Sequence, residues 1–231
     1  MARTPKRKVS TRRRIGPRKK SPVVPRSVAR FLNPGKQTQI TKTVRKYASS
    51  FPGTGLGAVR KIIGDLTSFE RRHFWRRDLA GVYAKRSAEQ IISDRFVAVP
   101  KGNRESLGQY AAVAGCVDYN VALCAVLRAK GIPAKFTREK LHSTTLFFLN
   151  GKWYEADPAN SLTRQLAEAL IRRGRKIDLS KIPGLITEIP GSRQRLMNYE
   201  KQFGQFAEGL DAWDIGIRSL RNFAKYNPPL R

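Results

Sequence analysis

The sequence predicts an α+β domain in which a buried helix packs on an antiparallel sheet, preceded by a long basic segment. Three observations carry this. Val117, Val121, Ala122, Leu123, Cys124, Ala125, Val126 and Leu127 make the stretch from Cys116 to Leu127 apolar almost all round, which marks a helix enclosed on every side. Asn150-Gly151 stands between two apolar runs, a strong hairpin signal. Residues 1–64 hold 18 Lys and Arg and no acidic residue, out of 46 Lys and Arg and 17 Asp and Glu in the 231-residue chain.

Residues 1–57 are rich in Arg, Lys, Pro, Ser, Thr and Gly and show no sustained period, so they read as an extended or disordered arm. Pro5, Pro17, Pro22 and Pro25 interrupt the amphipathic helix that a mitochondrial import signal needs. From Ala58 to about Ser93 the pattern is helical. Ile62, Ile63, Leu66 and Phe69 form one stripe and Trp75, Leu79, Val82 and Tyr83 another, with Arg71, Arg72, Arg76 and Arg77 between them. Phe96 to Pro100 reads as a short strand and Gln109 to Lys130 as the best helix, ended by Gly131 and Pro133. Ala134 to Thr137 is a strand, followed by the hairpin Ser143–Leu149 and Lys152–Ala156. Leu162 to Arg173 reads as a helix, Ile182 to Ser192 as a connector punctuated by Pro and Gly, and Gln194 to Arg221 as one or two helices. The domain thus spans 58–225, with 226–231 an extended tail.

The formal net charge is +29. Outside residues 1–64 there remain 28 basic against 17 acidic residues, an excess of +11, so the basic character extends over the domain. Such a field draws polyanions by counterion release, and the expected partner is nucleic acid, anionic lipid or an acidic protein surface. Arg12, Arg13, Arg14, Arg18, Lys19 and Lys20 are the candidate contacts. Met1 to Lys8 runs into further charge with no apolar core of a signal peptide, and no segment approaches the roughly 18 apolar residues of a spanning helix. Cys116 and Cys124 lie eight apart on one helix, where a mutual disulfide would be strained. The expected location is therefore intracellular and reducing: cytoplasm, nucleus or a nucleoprotein particle. With His73 and His142 the only histidines, no metal site is expected, and no cofactor either. Gly53-Thr54-Gly55-Leu56-Gly57 lacks the Lys-Ser/Thr of a phosphate loop and reads as a linker.

The hairpin makes a sharper statement. With Asn150 and Gly151 as the two loop residues, Leu149 pairs with Lys152 and Thr144 falls opposite Asp157. His142 lies two residues before Thr144, hence on the same face as Asp157. A diagonal pair of this kind is roughly 7 Å apart, within reach of an imidazole and a carboxylate. Asp157 can then fix the tautomer of His142. A thiol becomes a nucleophile as thiolate, which a helix N-terminus favours. Gly115 leaves Cys116 uncrowded, and His142 would complete its activation. The helix starts either at Cys116, which suits this role, or at Gln109, which leaves Cys116 internal.

Three separated blocks, Gly115-Cys116-Val117-Asp118-Tyr119, Leu127-Arg128-Ala129-Lys130-Gly131-Ile132-Pro133-Ala134-Lys135 and, after His142, Gly151-Lys152-Trp153-Tyr154-Glu155-Ala156-Asp157-Pro158, resemble the transglutaminase-like superfamily over about residues 88–160. The resemblance implies a papain-like fold with Cys116 as nucleophile, His142 as general base and Asp157 as the orienting acid. Gln109 is the oxyanion candidate, with backbone N–H groups at the helix start as the alternative. Many members carry an aromatic two residues after the histidine, where this chain has Thr144. The expected function is a thiol enzyme, a protease, amide hydrolase or acyltransferase, acting on protein amides and localised by its polybasic arm. The alternative is a catalytically weak or inactive protein of the same fold with a structural or nucleic-acid-binding role, such as a component of a virion or nucleoprotein particle.

Overall fold

A computed structural model describes residues 24–67, 84–94, 115–139, 142–158, 160, 167, 168, 170–176, 184–202 and 204–225. Its centre is the helix the composition marks. Helix α5 (Gly115–Ala129) is covered on all sides, with Val117, Val121, Leu123, Val126 and Leu127 wholly buried. Gly131, at φ 74°, ends it in the left-handed cap that favours glycine, and Ile132 N–H closes back on Leu127 O at 2.9 Å.

One face of α5 lies on the sheet. Strands β1 (Ala134–Glu139), β2 (His142–Leu149), β3 (Lys152–Ala156), β4 (Ile186–Glu188) and β5 (Phe206–Gly209) pair antiparallel in the order β4-β3-β2-β1-β5. Asn150 and Gly151, at φ 50° and 82°, make the two-residue turn, and the register runs from Leu149↔Lys152 to Thr145↔Ala156. Strand alternation sends Ser143, Thr145 and Phe147 toward α5, and Leu146 toward a smaller cluster with Ile189, Met197 and Phe206 on the far side. Met197 comes from helix α6 (Gly191–Gln202), which covers that face. The architecture is α+β, a central helix on an antiparallel sheet, as expected.

The other sides of α5 are covered by α2 (Lys42–Ser49), α3 (Leu56–Thr67) and α4 (Ala88–Asp94). Val44, Val59, Ile62, Ile63 and Leu66 are wholly buried there, each such side chain removed from water being worth about 1.5–3 kcal/mol. Phe69, the second stripe around Trp75, the Phe96–Pro100 segment and the 226–231 tail lie outside the described residues, as does half of Leu162–Arg173.

Two expectations need correction. Residues 24–57 are not an extended arm. A short helix α1 (Arg26–Ala29) runs into a 3-10 turn (Arg30–Leu32), and α2 is capped by Thr41, whose hydroxyl accepts from Val44 N–H at 3.3 Å. Phe31 packs edge-on against Trp153 with ring centroids 5.7 Å apart. The loop between is held by polar bonds. Gln37, fully buried, accepts from Ala88 N–H through its backbone carbonyl at 2.7 Å and donates its own N–H to Asp211 Oδ2 at 2.7 Å. Gln37 Nε2 reaches Ala84 O at 2.9 Å. Gly35 is obligatory beside this, since a Cβ there would lie 2.2 Å from Asp211 Oδ2. Arg128 ties the same segment to the sheet: Nε donates to Phe31 O at 3.0 Å, Nη1 to Thr38 Oγ1 at 2.6 Å, and Nη2 to Ala134 O and Leu210 O, both at 2.7 Å. The other correction concerns the end of the chain, where Phe206–Gly209 is strand β5, set between α6 and helix α7 (Leu220–Lys225), and Ile186–Glu188 within the expected connector is strand β4.

Candidate active site

The end of β2 and the first turn of α5 meet at Cys116 and His142. Asp157 follows directly on β3, and its backbone N–H donates to Leu185 O at 3.1 Å, which fixes the corner. The hairpin register brings its carboxylate to His142, with Nε2 and Oδ2 2.8 Å apart. That bond occupies Nε2 and leaves Nδ1 as the ring nitrogen for Cys116, whose side chain is hydrogen-bonded to the same imidazole. The carboxylate is mostly buried at 15 % exposure, while the imidazole is 43 % exposed, so the cluster opens to solvent on the histidine side.

The electrostatics favour an ion pair. The hydrogen bonds that His142 makes to Asp157 and to Cys116 raise it from 6.5 to about 10, against the opposing effect of burial. Burial acts to raise the Cys116 thiol, but the hydrogen bond and charge of His142, with a smaller influence from Ser143, outweigh it and hold the thiol below its ordinary value. Cys124 shows the contrast. It is wholly buried on the next turns of the same helix, its sulfur 3.6 Å from Thr145 Oγ1, and burial pushes its thiol up.

No family profile and no curated protein matches the chain. A solved structure from Cytophaga hutchinsonii, described as a candidate cysteine protease, is similar at a TM-score of 0.47 and 18 % identity over 84 % of this chain. This chain spans 50 % of that protein. A likeness this distant bears no weight on activity, which has to come from the side chains themselves.

Of the residues singled out from sequence, Cys116, His142 and Asp157 come together. Gln109, Arg12, Arg13, Arg14, Arg18, Lys19, Lys20 and His73 lie outside the described residues. No group of three or more His, Cys, Asp or Glu among the described residues could hold a metal ion, and no helix there is long and apolar enough to cross a membrane. Asn120 is a member of the cluster that sequence reasoning passed over. Its Nδ2 donates to both Cys116 O and Ser143 O at 2.8 Å, and its Oδ1 accepts from Thr145 Oγ1 at 2.7 Å, so it binds helix and strand together beside the thiol. An amide interrupting an otherwise apolar helix one turn after the cysteine is the signal that could have found it.

Proposed function

We propose that Cys116, His142 and Asp157 form a catalytic triad and that the protein is a thiol enzyme acting on amide or ester carbonyls. The observation that carries this is the shared imidazole: one ring nitrogen on Asp157, the other side on a thiol held below its ordinary ionisation range. The Cys116 sulfur attacks the carbonyl carbon, and the C–S bond forms as the amine of an amide, or the alcohol of an ester, leaves with a proton from His142. His142 then takes a proton from water, or from an acceptor amine, as that nucleophile displaces the sulfur and frees the acid or the new amide. The resemblance of the three sequence blocks to transglutaminase-like proteins agrees with this order of residues. Residues 1–23, with ten Lys and Arg and no acidic residue, would hold the enzyme on a polyanionic surface.

Iodoacetamide at neutral pH tests the reading. Cys116 is expected to be labelled at least tenfold faster than Cys124, and His142→Ala to remove most of that advantage. Equal, slow labelling of the two cysteines sinks the triad.

A further inference from the structure

Behind the nucleophile, the contact between α5 and β2 is polar where the surrounding core is apolar. Asn120, Ser143 and Thr145 are all wholly buried there. Asn120 and Thr145 bond to each other, and Asn120 also bridges the backbones of Cys116 and Ser143. Ser143 Oγ is different: it is buried, and among the described residues it has no hydrogen-bond partner. Burying a hydroxyl without a partner is unfavourable, and alanine would fill the same place without that cost. Strand alternation turns Ser143 toward α5, and the Asn120 bridge pins its backbone against that of Cys116. The residue that shares this bridge is Cys116, and its sulfur is the acceptor that a donor placed here would serve. An O–H with little to gain from a neutral thiol gains much from a thiolate, because hydrogen bonds to an ionised acceptor are about twice as strong as neutral ones.

We propose that Ser143 is a further catalytic residue, whose hydroxyl donates to the Cys116 sulfur and holds the thiolate together with His142, while Asn120 sets the distance between them. This rests on the triad reading above. Ser143 also stands, after burial and His142, among the influences on the ionisation of Cys116. Among the described residues the charged groups around the sulfur are few. His142 approaches from β2 with Asp157 behind it, and Asp118, in the same turn of α5, is paired with Arg86.

The test compares the full-length wild type with Ser143→Ala, reading iodoacetamide labelling of Cys116 by mass spectrometry across pH, with Cys124 as internal reference, beside the thermal midpoint. Loss of the hydroxyl is expected to move the labelling midpoint up by about one pH unit, a roughly tenfold slower reaction below both midpoints. Thermal stability is expected to hold or rise, and Ser143→Thr to restore the midpoint. An unmoved midpoint in Ser143→Ala overturns the proposal, and so does a loss of stability with the midpoint unchanged, which would mark a structural serine. In either case a fast, His142-dependent wild type leaves the triad standing. A slow wild-type Cys116 insensitive to His142→Ala removes both readings together.

Discussion

Replacing Asp157 by Asn keeps the shape of the side chain and removes the charge that meets His142 Nε2 at 2.8 Å. That hydrogen bond is the largest of the influences lifting His142 from 6.5 to about 10. Each pH unit of such a lift corresponds to about 1.4 kcal/mol of differential interaction. The ring is 43 % exposed, so solvent screens the pair, and with that discount the share of Asp157 comes to about 1–2 kcal/mol, near one pH unit. An NMR titration of the imidazole protons reads this directly. With two histidines in the chain, a His142→Ala spectrum completes the assignment. Stability follows with a definite sign. Because the folded-state value lies above the unfolded one, the contribution is fully present below about pH 6.5 and is lost as the pH rises through about 10. Urea unfolding at pH 6, 8 and 10 is expected to show the gap between wild type and Asp157→Asn narrowing with pH. A His142 midpoint unmoved by the substitution, or a gap that widens as pH rises, refutes the reasoning.

Two further outcomes follow from the packing of the N-terminal half. Gly35→Ala places a methyl group 2.2 Å from Asp211 Oδ2, an atom already bonded to Gln37 N–H, and is expected to cost about 2–3 kcal/mol in urea unfolding, whereas Gly55→Ala, with nothing near its Cβ position, is expected to leave the midpoint almost unchanged. Polyanion binding has to be tested by deleting residues 1–23 alone, since a deletion to residue 57 would strip Gln37, Val44 and Tyr47 from the folded protein. The slope of log K against log salt for a generic DNA duplex is expected to become shallower by about 0.9 for each phosphate that residues 1–23 neutralise. A truncated chain with an unchanged slope removes these residues as the polyanion-binding segment.

What was legible in the sequence was what carries a period or a turn code. The enclosure of α5 shows in its apolar run, and the placing of His142 beside Asp157 follows from Asn150-Gly151 and the two-residue alternation of strands. Residues 24–57 were opaque because α2 is only two turns long, its stripe of Val44, Tyr47 and Ala48 too brief to stand out, and the other anchors have no period. Phe31 is a single aromatic among prolines and arginines, and Gln37, Thr38 and Arg128 act through side-chain bonds to distant backbone. Strands β4 and β5, three and four residues long, are too short for alternation to stand out, and both lie at the edges of the sheet, where pairing with β3 and β1 decides their conformation. Ser143 is invisible for another reason: its interest lies in a hydroxyl without a partner among the described residues, and only coordinates reveal that.

The bonds of Gln37 have a consequence for how the protein is made. Its acceptor Asp211 lies 174 residues downstream, and Trp213, which donates to its side chain, lies 176 downstream. At a synthesis rate of about 5–20 residues per second, the nascent chain waits about 10–35 s between the appearance of one partner and the other. Throughout that interval a strongly cationic segment is tethered to a ribosome whose surface is polyanionic, and the loop around Gln37 has no place to dock. The cluster at Cys116 is complete once Asp157 has emerged, but the frame that holds α5 in place closes only after Asp211 follows. Thiol and charge are thus both present on the chain before the fold that restrains them.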